Sequence, residues 1–221
     1  MELGIIMSKL GDDIYRVMRH DIVFGRLDAN SKIRLSHLKA TYGASIPTLR
    51  EILNRLVSEG FVVAEGKRGH IVAPISKEGL KEIADLRILL ECYALRQSLA
   101  EGTTDWEAHV ISAHYKLSQM EKRMQSGDDS AREAWKQYDW EFHQALISAC
   151  GSTELLQVHG IVFDKYLRYQ MRLLTFRGDV ASAEHKALLD AALNRDADTA
   201  ESVLRAHING GVVHSLQIFA K

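Results

Sequence analysis

The chain has 221 residues, 46% of them hydrophobic and 26% charged, a balance that supports one large or two ordinary globular cores and excludes a disordered or fibrous polymer. Its formal net charge is −1, unevenly spread: residues 1–75 hold 11 Lys/Arg against 8 Asp/Glu, and the rest hold 17 against 21. Only the first third therefore offers a face for a polyanion. Two cysteines, Cys92 and Cys150, make no disulfide framework and fit buried thiols in helical patterns. No run approaches the roughly 20 apolar residues of a membrane span, and MELGIIMSKL is too short in its apolar part for a signal peptide. A cytoplasmic protein with no membrane partner is expected.

In chain order, Ile14, Val17, Met18 and Ile22 at helical spacing predict a first helix ending near Gly25. A short second helix is expected over Leu35–Tyr42, followed by a turn at Gly43. Ser45 is placed to cap a third helix over residues 46–59, with Pro47 in its first turn and Leu49, Ile52, Leu53 and Leu56 on one face. Gly60 ends it. FVVAE and HIVAP then flank a glycine-bounded basic tip at residues 66–69, the pattern of a hairpin. Helix, helix, turn, helix, hairpin is the order of a winged helix-turn-helix. Pro74, between the last β-like run and a long helical pattern, marks the boundary between a DNA-binding domain, 1–74, and a second domain, 75–221.

A helix-turn-helix presents the first turn of its second helix to the major groove, which points to Ser45, Ile46, Thr48 and Arg50. Arg50 can fork onto a guanine edge or a phosphate, or else pair with Glu51 or Glu59 at the surface. Lys67 and Arg68 at the wing tip suit phosphates, or are simply solvated turn charges; Arg34, ahead of the second helix, completes the DNA-contact set.

The second domain reads as helical throughout, with breaks near Gly102-Thr103, Gly127-Asp128, Gly151-Ser152, Arg177-Gly178 and Asp196, hence six helices. Thr104 with Glu107 and Ser130 with Glu133 have capping-box spacing. Asp139 and His143 lie one turn apart on one helical face, and His185 and His207 sit beside apolar residues on two other helices. Spacing alone allows a shared ion, and equally a surface contact with inward histidines. Glu184 reads as a first-turn helix carboxylate. His214 follows His207 by two turns, about 10 Å, too far to share an ion without a helix break at Gly210-Gly211. His20, His37, His70, His109, His114 and His159 suggest no ligand partner.

LKATYGASIPTLREILNRLVSEGFVVAEGKRGHIV, ending at Val72, resembles the DNA-binding domain of the GntR family, with Ala29-Asn30 where that family usually has Pro-Gly and Ile46 where it usually has a basic residue. DLRILLE at 85–91, DWEFHQALISACGS at 139–152, EHKALLDAALNRDADTA at 184–200 and LRAHI at 204–208 resemble the FCD domain, the helical effector domain of that family's FadR branch. Six helices match its VanR-like subgroup. The resemblance implies a mainly α protein, a winged helix-turn-helix followed by an all-α six-helix bundle, acting as a ligand-responsive repressor on operator DNA and as a homodimer. It also implies that Asp139, His143, His185 and His207 bind a divalent metal. Zinc, nickel, manganese or iron suits these donors, zinc or nickel being favoured. Open coordination positions would take a small organic acid effector, assisted by Arg87, whose alternative is a surface pairing with Asp85 or Glu91. Ser152 stands where the domain commonly has Asn, and both cap helices. The rival reading is a metalloenzyme using the same four residues, but no HExxH, phosphate loop or G-x-S-x-G accompanies them.

Overall fold

The computed structural model describes the backbone of residues 2–173 and 176–219. Two compact units divide after Ser76, two residues beyond Pro74.

The first unit comprises α1 (Glu2–Val23), β1 (Lys32–Ile33), α2 (Leu35–Tyr42), α3 (Ile46–Ser58), β2 (Val62–Ala64) and β3 (His70–Val72). The strands form one antiparallel sheet in the order β1-β3-β2, with Ile33 opposite His70 and Val62 opposite Val72. β1 went unforeseen because two residues carry no alternation; only its pairing defines it. Asn30 precedes it at φ 63°, a left-handed conformation that Asn tolerates better than most side chains, so it can stand where a glycine is usual. Met18, Ile22, Leu38, Leu49, Leu53, Leu56, Phe61 and Val72 build the core, whereas Val17, expected on the buried face of α1, is 50% exposed.

Gly43 adopts φ 67° and donates its N–H to the Lys39 carbonyl, ending α2. The Ser45 hydroxyl accepts from the Thr48 N–H at 3.3 Å, starting α3. Leu49, Ile52, Leu53 and Leu56 are buried, each contributing about 1.5–3 kcal/mol. Burying that face points Ser45 and Arg50 outward. A 3-10 turn over Gly66–Arg68 forms the wing tip.

The second unit holds, among the described residues, six α-helices: α4 (Lys77–Glu101), α5 (Thr104–Gln125), α6 (Arg132–Ile147), α7 (Thr153–Leu173), α8 (Asp179–Leu193) and α9 (Ala197–Phe219). α4 packs against α6, α7 and α9, α5 against α6 and α8, and α8 against α9. Leu80, Leu95, Val110, Leu117, Phe142, Phe163, Leu188 and Ile208 fill the centre. The two capping boxes do not form at the expected residues. α5 is preceded by Thr103, whose carbonyl accepts from the Glu107 N–H, so Thr104 lies inside the helix. Asp128 caps a 3-10 turn, Asp129–Ala131, and Ser130 lies within that turn, ahead of α6. Ser152 does cap α7, accepting from the Leu155 N–H at 3.2 Å.

Candidate functional site

α6 carries Asp139 and His143 one turn apart, α8 carries His185 and α9 carries His207. All four are buried, and one ligand atom from each lies within 4.8 Å of all the others. Asp139 Oδ1 is 3.2 Å from His185 Nε2 and 3.9 Å from His143 Nε2. The His207 ring centroid is 4.5 Å from that of His185 and 5.3 Å from that of His143.

Each imidazole is held from behind by a carboxylate on its Nδ1. Glu91 of α4 takes His143 at 2.8 Å, Glu121 of α5 takes His185 at 2.6 Å, and Glu184 of α8 takes His207 at 2.8 Å. With Nδ1–H donating outward, the neutral rings of His143 and His207 turn an Nε2 lone pair to the common centre, and His185 does so once its proton has left. The Nε2 atoms of His143 and His185 are buried without a hydrogen-bond partner, a costly arrangement that a cation would relieve. One carboxylate oxygen and three imidazole nitrogens fit a divalent transition ion.

Charge is arranged to suit such an ion. Burial would raise the Asp139 carboxyl, but Lys136, His185 and His143 outweigh it and hold it well below the usual range. Burial pushes His207 well below the ordinary imidazole value, helped by His185, and lowers His143 against the pull of Glu91. Both are therefore neutral, the form that ligates. His185 differs: burial lowers it, yet Asp139 and Glu121 together raise it to about 8. Glu184, opposed by burial but paired with His207 and Arg177, falls to about 2.

Glu91 also anchors a second cluster. It accepts from Arg87 Nε at 2.5 Å and from His159 Nε2 at 2.7 Å, and the Arg87 guanidinium lies 4.1 Å from the Phe163 ring centroid. Arg87 is 1% exposed, so its pairing with Glu91 is a core ion pair and not the surface one that spacing allowed. His159, for which the sequence offered no partner, bridges Glu91 and Gln144.

A small cavity opens beside the four residues. Its wall includes Lys136, Gln170, Arg177, His185, His207 and His214. Arg87 is not in that wall. Lys136 Nζ contacts Asp139 Oδ2 at 3.2 Å and Gln170 Oε1 at 2.8 Å; burial lowers its ammonium while Asp139 opposes the shift. Arg177 clasps both oxygens of Glu184 at 3.2 and 2.6 Å. Glu184 lies in the second turn of α8, which starts at Asp179, so it orients His207 instead of capping the helix. α9 runs unbroken through Gly210 and Gly211, and His214 reaches the cavity without joining the ligand set. Gly211 is needed for space, since a Cβ there would stand 2.3 Å from Oη of the buried Tyr166; at Gly210 a Cβ would stand 2.6 Å from Arg177 Nη1, the tip of a side chain that can shift.

In the first unit, Arg34, Ser45, Arg50, Lys67 and Arg68 are exposed, and Ile46 and Thr48 half-buried. Arg50 forms no ion pair among the described residues, with Glu51 or with Glu59, and Glu59 instead holds Tyr15, Arg55 and Arg19. The Thr48 hydroxyl is 2.8 Å from that of Ser45.

Sequence comparison connects these two arrangements to known proteins. Residues 10–72 match the gntR family of bacterial regulatory proteins, and residues 82–210 match the FCD domain. The chain is 38% identical over 201 residues to the HTH-type transcriptional regulator BphR of Paraburkholderia xenovorans, covering 90% of this chain and 82% of that one. It is 32% identical to the HTH-type transcriptional repressor GlaR of Escherichia coli, covering 89% of this chain and 91% of the relative. The solved structure of Escherichia coli McbR/YncC shares the fold, with a TM-score of 0.79 at 20% identity over 95% of this chain and 98% of the other. These relatives are transcriptional regulators, which sets aside the metalloenzyme alternative. The chain belongs to the GntR family of bacterial regulatory proteins, which bind operator DNA, and is a transcriptional regulator with an FCD domain, not an enzyme.

Proposed function

We propose that the chain is a repressor whose affinity for operator DNA is set by a divalent metal and a small carboxylic acid bound in its FCD domain. The observation that carries this reading is the convergence of four buried ligand atoms from three helices within 4.8 Å, two of them imidazole nitrogens with no other partner. Asp139, His143, His185 and His207 would hold the ion, zinc or nickel ahead of manganese or iron. Once bound, it supplies positive charge and open positions that favour a carboxylate. The adjoining cavity supports the acid part of the reading, since Lys136 and Arg177 in its wall are cations suited to a carboxylate. Arg87, given its burial, serves by fixing Glu91 and through it His143.

On the DNA side, Ser45, Thr48 and Arg50 face the bases from the start of α3, while Arg34, Lys67 and Arg68 meet phosphates. A single such module with so small a basic surplus binds weakly. A homodimer reading a near-palindromic site in the cytoplasm follows. The direct test is elemental analysis of protein purified without chelator: about one divalent ion per chain is expected, and none, with no uptake on reconstitution, overturns the metal reading.

A further inference from the structure

Two cations line the cavity beside the ligand set, and their counter-charges differ: Arg177 is paired with Glu184, outside the four residues, and Lys136 with Asp139, one of the four, whose charge a bound ion would share. Arg177 has both terminal nitrogens engaged, bidentate on Glu184 and also on the His207 carbonyl. Lys136 is only 4% exposed and its ammonium has three N–H groups. Two of these are used, on Asp139 Oδ2 and Gln170 Oε1. The face of Trp135, 4.1 Å away, steadies the charge but offers no lone pair. That leaves one N–H of this buried ammonium, which lines the cavity, for a further acceptor.

Asp139 shows how a carboxylate is accommodated here. Its Oδ1 faces the inward nitrogens of His185 and His143, and its Oδ2 lies on Lys136. We infer that Lys136 is the residue that reads the effector, and that the effector's carboxylate is held as Asp139 is, one oxygen toward the centre of the ligand set and the other on the Lys136 ammonium. This rests on the metal-and-acid reading above and narrows it: the recognised group is a single carboxylate. A neutral amide of the same shape is refused, because with its oxygen toward the ion its NH₂ meets the ammonium donor to donor, and with its oxygen on the ammonium its NH₂ meets the ion.

The probe is acetate, with acetamide as control, added to zinc-loaded full-length protein whose zinc content is verified for each variant. In wild-type protein labelled with ¹⁵N-lysine, the buried Lys136 ammonium resonance should shift with acetate and not with acetamide. Lys136→Gln and Lys136→Met should each bind acetate at least about tenfold more weakly, the size of one hydrogen bond to a charged group. The label reports on wild-type protein, so misfolded variants do not spare the idea. If acetate binds while the Lys136 signal stays put, or binds both zinc-loaded variants as it binds wild type, the Lys136 assignment is wrong and the metal-and-acid reading stands. If zinc-loaded wild type binds no acetate, that reading falls and takes this assignment with it.

Discussion

The two units of this regulator use charge in opposite ways. In the DNA-binding unit Arg34, Arg50, Lys67 and Arg68, the cations proposed to meet DNA, are exposed, and Arg50 is unengaged within the described structure. In the FCD domain Arg87, Glu91, Lys136, Asp139, His143, His185 and His207 are all at most 8% exposed and tied to one another. Exposed pairs are worth about 0–1 kcal/mol each, whereas breaking a buried pair costs about 3–5 kcal/mol. The head can therefore tolerate changes in its charges during evolution of an operator, while the body's charges form a set that stands or falls together.

The largest effect that separates the two should come from Glu91→Ala, which strands Arg87, His143 and His159 in the core. Urea unfolding should show a loss of about 3–5 kcal/mol, against less than about 0.5 kcal/mol for Arg68→Ala in the wing. Comparable losses in both would erase the contrast. Next in size, Glu121→Gln leaves all four ligands in place but weakens the hold on His185, and zinc affinity measured by chelator competition should fall about 10- to 100-fold. On the DNA side Arg50→Ala should cost about 1–3 kcal/mol at one operator position, and unchanged discrimination there would remove Arg50 from base reading. Smallest is Lys67→Ala, which should lower the salt slope of operator binding by about 1 without altering sequence preference.

The pH dependence follows from His185. Its imidazolium persists up to about 8 because Asp139 and Glu121 outweigh burial. A ligating imidazole is neutral, so that proton must leave when an ion binds. Through this group, ion affinity should rise with pH by roughly tenfold per unit below 8 and flatten above it. An affinity flat from pH 6 to 8 would contradict the geometry around His185.

The same contrast explains what the sequence disclosed. The head's turns and caps are local: Gly43, Ser45 and Pro47 announce α3 by themselves, and only β1, made by pairing alone, escaped notice. In the body, Asp139 and His143 were legible from a spacing of four, but His185 and His207 are ordinary inward histidines until the fold brings three helices together. Glu91, Glu121 and Glu184 look like solvent-facing helix carboxylates, and nothing periodic distinguishes them. Lys136 was within reach of the same logic that found His143, since i and i+3 share a face with Asp139. A lysine on a helix is normally a surface charge, so only the fold shows that this one is buried. Arg177 lies at a helix break, where periodicity carries no information.

The most direct test of the central claim is operator affinity of the metal-loaded protein, measured by fluorescence anisotropy with and without saturating acid across a panel of small carboxylates. The account predicts that at least one acid shifts operator affinity, and that operator DNA changes affinity for that acid by the same factor. An acid that binds at Asp139, His143, His185 and His207 yet leaves operator affinity unchanged would contradict it and reduce the metal to a structural part.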